Sequence, residues 1–368
     1  MLTLSRFAAV QVVGPIVVEG YDVRSSSPPS MGRDHGADFV LLGTVQRLEE
    51  RLRVSVSLSD VSSSTMIWAN RYERDLTVAD LFEVQDEIAA EVSATLADAA
   101  GVIVRRAAEQ EIGRPPGSLS SYEAALKGLH WGMVMTDDAL VEAHDALSRA
   151  VESDPEYALT KALLSDIYFS DWLSAIGRYE DGLDAAELLA RDAVGLDRSC
   201  ADARWAMGQV HFARRRLVAF EEEFDRALAL NPNKALFLAS YALFLSGLQE
   251  WDRADEYAAR AMQLNPQHPP WYLVAPYIRN AHDGNWQEAL VQARSFRAPG
   301  LMWGPLMRAA ALGHLGMTDD AQPHVTDLLA AQPEFARGGR ALISRLLLAE
   351  GNIEPLLAGL RKAGLEVE

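Results

Sequence analysis

Apolar positions along this chain change period once. Residues 37–46 (ADFVLLGTVQ) form a nearly continuous apolar run, the pattern of a strand covered on both faces. Residues 51–60 alternate strictly, with Leu52, Val54, Val56 and Leu58 on one face and Arg53, Ser55, Ser57 and Ser59 on the other. Residues 48–51 read as a hairpin loop and 62–65 as a second turn leading into 66–71, so the pattern predicts a three-stranded antiparallel meander. Upstream, residues 8–18 are apolar but interrupted by Gly14 and Pro15, too short to span a membrane and better suited to a buried strand. Residues 25–30 (SSSPPS) read as a loop. Over 77–110 the period becomes helical: Leu81, Val84, Ile88, Val92 and Leu96 make one stripe, with Thr77 as N-cap and Asp80 as a first-turn acid. Residues 112–118 (IGRPPGS) form a linker, because a helix rarely continues through Pro-Pro-Gly.

Beyond the linker the helical period repeats. Pro232 and Pro266 lie 34 residues apart, and each closes an amphipathic helix on the same A-x-x-L-N-P ending. That spacing and ending are those of the tetratricopeptide repeat, a helix–turn–helix unit that buries its apolar face only by stacking on its neighbours. With the small, aromatic and proline positions as a ruler, hairpins close near Pro155, Arg198, Pro232, Pro266, Gly300 and Pro333. The first interval is longer than the others, which places an insertion near 170–178. A last hairpin over 341–364 would cap the stack. The expected fold is an α+β N-terminal domain (1–112), a linker (113–118) and an all-α tetratricopeptide-repeat solenoid of about six hairpins with a cap (119–368), mostly α overall.

Chemistry adds little to this picture. No phosphate-cradling glycine loop, dinucleotide fingerprint, nucleophile elbow or metal-spaced histidine pair occurs, so no catalytic, cofactor or metal site is expected. A nucleotide cyclase needs two metal-binding aspartates on a strand–turn–strand, and this region offers only Asp38 and Asp60, at strand ends. His144 and His211 fall at repeat packing positions. Glu221, Glu222 and Glu223 are consecutive on a helix, point apart and cannot share an ion. Cys200, the only cysteine, has no identifiable base and no disulfide partner. A net charge of −18 disfavours nucleic acid and anionic membranes and favours a basic partner. Trp251 and Trp286 occupy equivalent turn positions and read as structural. The informative aromatics are those on the first helix of each hairpin, which lines the concave groove. The ruler puts Trp205, Trp271 and Trp303 on or near that face, with Gln209 and Phe212 beside Trp205. Together they are the candidate partner-binding residues, with anchor pockets for a protein or peptide ligand.

A more specific resemblance sits at the strand–helix junction. The runs 38–45 (DFVLLGTV), 67–76 (IWANRYERDL) and 80–89 (DLFEVQDEIA) resemble the TolB N-terminal-like (FlgO-like) domain. In bacterial proteins that domain often precedes tetratricopeptide repeats and follows a class III adenylate/guanylate cyclase domain or a CadC-like winged-helix domain. Residues 356–365 (LLAGLRKAGL) also look like the usual ending of such chains. Leu42 stands where the family usually has an acidic residue, and the family's first strand and helix, upstream of residues 4–7, have no counterpart. The resemblance implies the regulatory half of a longer protein, or a shortened relative, working in bacterial signalling or transcriptional control. The expected function is non-enzymatic binding of a protein or peptide in the groove. The alternative is a small-molecule sensor, through the α/β domain, that controls an upstream cyclase or DNA-binding output. With no secretion signal or membrane span in the sequence the expected location is the cytoplasm, or the periplasm if a transmembrane segment lies upstream.

Overall fold

The computed structural model describes residues 2–14, 27–76, 80–99, 101–110, 114, 117, 119–298 and 300–368. Strands β1 (Phe39–Leu48), β2 (Arg51–Asp60) and β3 (Thr65–Asp75) form the antiparallel meander, in the order β1-β2-β3, with a bulge at Leu58/Ser59. Leu52, Val56 and Leu58 of β2 and Tyr72 of β3 are buried against Val84, Ile88 and Leu96 of helix α2 (Leu81–Ala97). The expectation that β1 is covered on both faces fails. It is an edge strand, and Val45 and Leu48 keep 69% and 76% of their surface exposed. The other departures are local. Residues 8–14 form no strand; instead Leu4 and Phe7, around a 3₁₀ turn at Leu4–Arg6, insert into the core, and 15–18 lie outside the described residues. The expected loop at 25–30 is in part helix α1 (Pro28–Asp34), with Ser27 as N-cap and prolines in the first turn, where their missing N–H would be unpaired anyway. Residues 25–26 are outside the described set. Asp80, not Thr77, caps α2, its carboxylate accepting from Phe82 N at 2.7 Å, while residue 77 is itself undescribed. The single helix expected over 77–110 ends at Ala97, with Asp98 and Ala99 outside it, and a second helix, α3, runs over Val102–Gln110. Of the linker, only Arg114 and Gly117 are described within 113–118.

The rest is helical hairpins: α4 (Ser121–Val134) with α5 (Asp137–Ser153), α6 (Ala158–Leu173) with α7 (Gly182–Leu196), α8 (Ala201–Ala213) with α9 (Leu217–Leu230), α10 (Ala235–Leu248) with α11 (Trp251–Leu264), α12 (Val274–His282) with α13 (Trp286–Ser295), and α14 (Trp303–His314) with α15 (Thr318–Ala331). Helices α16 (Phe335–Ile343) and α17 (Glu350–Lys362) follow, so the capping hairpin starts earlier than the expected 341. The fold is therefore an α+β N-terminal part followed by an all-α repeat solenoid, mostly helical. The insertion in the second unit is the long turn between α6 and α7.

The seam chemistry explains the repeat's choice of small residues. A Cβ on Gly208 would stand 2.6 Å from the Phe224 ring, so the two helices of that hairpin close only over glycine. Phe224 stacks in turn on Tyr241 of the next unit, centroids 4.7 Å apart. Ala227 and Ala261, from the two matching helix endings, are fully buried. Asn231 of the first ending serves twice: its Oδ1 accepts from Asn233 N at 3.2 Å, and its Nδ2 donates to the Arg6 carbonyl at 3.1 Å. Through such contacts the sheet and α2 share one core with Leu238 and Ala239 of α10 and Ala261 and Leu264 of α11, while α3 packs with α4 and α5 in another.

Candidate functional site

Each of the first helices of the six hairpins contributes to one cavity of ≈130 Å³: Trp131 from α4, Asp166 from α6, Trp205 from α8, Phe244 from α10, Val274 from α12 and Trp303 from α14. Helical spacing puts the right residues inward. Asp166, Phe169, Ser170 and Leu173 lie three, four and seven positions apart on one face of α6, and Trp205 and Gln209 lie four apart on α8. Trp271 joins from a 3₁₀ turn at Pro270–Leu273 that precedes α12.

Two neighbouring segments complete the wall. Ala99, just after α2, lines it from the N-terminal part, and Leu346 lines it from the stretch between α16 and α17. That stretch reaches back across the array. Arg345 donates to the Trp172 carbonyl and stacks over its ring at 5.1 Å, and Arg215 donates to the Ser344 carbonyl. Just beyond them, Leu348 N donates to the Gly247 carbonyl at 2.9 Å. Gln332 Nε2 also donates to the Ala175 carbonyl at 2.5 Å. The groove is thus closed over by the chain's own C-terminal segment.

The polar part of the wall is small and incompletely bonded. Gln209 Nε2 donates to Asp166 Oδ1 at 3.0 Å. Its own Oε1 is buried without a partner, and so is the indole Nε1–H of Trp205. Burial pushes the Asp166 carboxyl up to about 7; the Gln209 and Ser170 hydrogen bonds oppose this and the nearby Asp202 charge adds to it. Asp98, next to the wall residue Ala99, is met only by the backbone N–H groups of Ala99 and Leu236, neither in good hydrogen-bond geometry. Burial raises it to about 6, opposed most by the Lys234 charge. Lys234 is itself engaged in a buried ion pair with Asp202.

Of the residues expected to bind a partner, Trp205, Gln209, Trp271 and Trp303 meet at this cavity. Phe212 does not: its ring is fully buried behind the wall, 4.5 Å from Phe244 and 5.3 Å from Phe220. Asp166, Trp131 and Phe244 line the cavity but were not singled out. The spacing assigns groove residues only in the third, fifth and sixth units and so passes over Asp166 of the second, although a lone acid in the apolar run ALLSDIYF is a visible signal.

Other candidates resolve into structure. His144 stacks on Tyr179 at 4.2 Å and meets Tyr168 Oη at 3.2 Å. Trp286 stacks on His314 at 3.9 Å and Trp251 packs on His282 at 4.8 Å. Burial raises the Cys200 thiol to about 12, far from a thiolate nucleophile. Glu221 turns to Arg253, whereas Glu222 and Glu223 both reach Arg226, and Glu223 is buried between it and Arg204. Burial alone would raise Asp60, yet hydrogen bonds from Ser62, Ser63 N and Arg106 hold it down at about 2, as a turn anchor. Among the described residues no three His, Cys, Asp or Glu side chains gather as metal ligands, and no helix is long and apolar enough to cross a membrane.

No protein-family model matches the chain. A curated protein of Rhizobium meliloti (strain 1021), "Putative adenylate cyclase 3", is 28% identical over 217 residues, 58% of this chain. The match covers 36% of that protein, so the chain spans about a third of the relative's length. Among solved structures, YrrB, described as a TPR protein with an unusual peptide-binding site, aligns over 52% of this chain and 94% of its own. The identity there is 20% and the TM-score 0.31. The peptide-binding site in that description is YrrB's.

Proposed function

We propose that this chain is a non-enzymatic regulatory scaffold whose repeat solenoid (119–368) binds a protein or peptide partner, and whose α+β part (1–112) couples that binding to an output in bacterial signalling. One observation carries the reading: side chains from all six hairpins converge on a single aromatic cavity with two buried polar atoms left unpaired. Such a wall is an anchor pocket, in which one apolar or amphipathic group of a partner is desolvated while the surrounding helices supply the wider contact. The volume suits one side chain better than an extended peptide in the groove. The adenylate cyclase named for the Rhizobium relative supports a signalling context, and the acidic net charge supports a basic partner.

Coupling has a physical route. The cavity wall at Ala99 is continuous with α2, and α2 carries the sheet. A ligand that shifts the wall shifts the sheet's support only to the extent that it prefers one arrangement. The test is affinity capture of partners from a bacterial lysate with the full chain and with Trp271→Ala and Trp303→Ala. We expect at least tenfold weaker retention of the specific partner by both variants. Equal retention by folded variants would sink the groove reading.

A further inference from the structure

We infer that the cavity receives a primary ammonium group on a short apolar stem, the chemistry shared by free alkylamines and the lysine side chain of a partner. This deepens the groove reading above and rests on it. Four independent features of the wall converge on such a group.

The first is charge. Asp166 lines the cavity, Asp98 adjoins the wall residue Ala99, and Asp202 lies near both. Against these three carboxylates stands Lys234, already paired with Asp202. An uncompensated buried carboxylate is costly, and a cation delivered into the cavity would relieve that cost. Secondly, Gln209 presents a buried Oε1 without a donor, although its Nε2 is fixed on Asp166. Gln209 Oε1 and Asp166 Oδ1 are acceptors on one short hydrogen-bonded unit, and an ammonium carries three N–H donors to meet them.

The third feature is the aromatic wall. Trp205, Trp271 and Trp303 all line the cavity, and indole faces attract cations most strongly when water is excluded. The fourth is size. A cavity of ≈130 Å³ is comparable to one that holds benzene, which admits about six heavy atoms, the number in a lysine side chain beyond Cα plus one. The unpaired Trp205 Nε1–H is left to donate to an acceptor carried by the same ligand, such as a backbone carbonyl beside a lysine.

Isothermal titration of the full chain with n-pentylammonium, 1-pentanol and two short capped peptides, one with lysine and one with norleucine, tests this. We expect saturable binding of n-pentylammonium and at least tenfold weaker binding of its neutral isostere 1-pentanol. Asp166→Asn and, separately, Gln209→Leu should erase that preference, with thermal melts confirming that both variants fold. A lysine peptide bound at least tenfold more tightly than n-pentylammonium identifies a partner's side chain as the source; equal or weaker binding identifies the free amine. If 1-pentanol or the norleucine peptide binds as tightly as its charged counterpart, the ammonium assignment is wrong while the groove still binds. If no probe binds at millimolar concentration, the ammonium assignment is overturned. The groove reading then stands or falls on the tryptophan variants described above.

Discussion

Asp166 ties the pH response of the molecule to its interior. Its carboxyl, at about 7, and that of Asp98, at about 6, both lie above the ordinary aspartate value because burial disfavours the charge. The folded chain therefore holds protons that the unfolded chain has released. This contribution to stability is complete below about pH 4 and is lost as pH rises through 6 and then 7. For Asp166 alone the loss between pH 5 and pH 8 is about 2–3 kcal/mol. Urea denaturation at the two pH values should show it, and Asp166→Asn should remove this part of the slope. Burial lowers His130, His211, His314 and His324, which pull stability the other way over the same range, so the Asp166 contribution is read as the difference between the two slopes; equal slopes in wild type and Asp166→Asn would contradict it. Gly208 offers a second test at this scale. Alanine there forces its methyl into the Phe224 ring, and the expected cost is about 1–3 kcal/mol of unfolding free energy. Wild-type stability in Gly208→Ala would mean the seam can open without penalty. Asp166 and Gly208 also differ in legibility. Gly208 was readable because the repeat fixes a small residue at that position. Asp166 was not, because its value as a wall residue depends on helices over a hundred residues away.

Among the elements, β1 shows how period and composition can mislead. The run FVLLGTV has the hydrophobicity of a doubly covered strand, but among the described residues nothing pairs beyond β1, and the second half of the strand is exposed. Sequence pattern reports how apolar a segment is and not how many neighbours it has. Long apolar edge strands of this kind template pairing with other chains. Val45→Lys should leave stability within about 0.5 kcal/mol and lower the tendency to self-associate, read by light scattering. A large loss of stability would mean that β1 is covered after all. The two A-x-x-L-N-P endings were legible for the opposite reason, since helix stop signals act locally. What could not be read from them is the second task of Asn231, which holds the Arg6 carbonyl more than two hundred positions upstream. Asn231→Ala should cost about 1 kcal/mol and raise amide exchange around residues 4–10, while Asn265→Ala should leave that segment protected. Equal exchange in both variants would remove the tether from the account.

At the scale of the whole molecule, the repeat architecture was visible in spacing alone, whereas its closure was not. Nothing in the linear pattern of residues 332–349 distinguishes a terminal cap from a segment that returns to the second hairpin. The contacts of Arg345 and Gln332 with Trp172 and Ala175 exist only once the array has curved far enough to bring them together. Removing one of them should loosen the wall. Arg345→Ala is expected to increase acrylamide quenching of the tryptophan fluorescence, with a loss of about 1–2 kcal/mol in stability. Unchanged quenching would mean that the strap does not control access to the cavity. The closure also changes how the array can come apart. In an open stack each unit answers only to its neighbours, so the ends melt first and the loss spreads inward by steps. Here the last helices are fastened to the second hairpin, so the described repeats close on themselves and cannot peel off unit by unit from that side; denaturation of the repeats should be one transition, as in a globular domain, in a chain whose sequence promises a row of separable pieces.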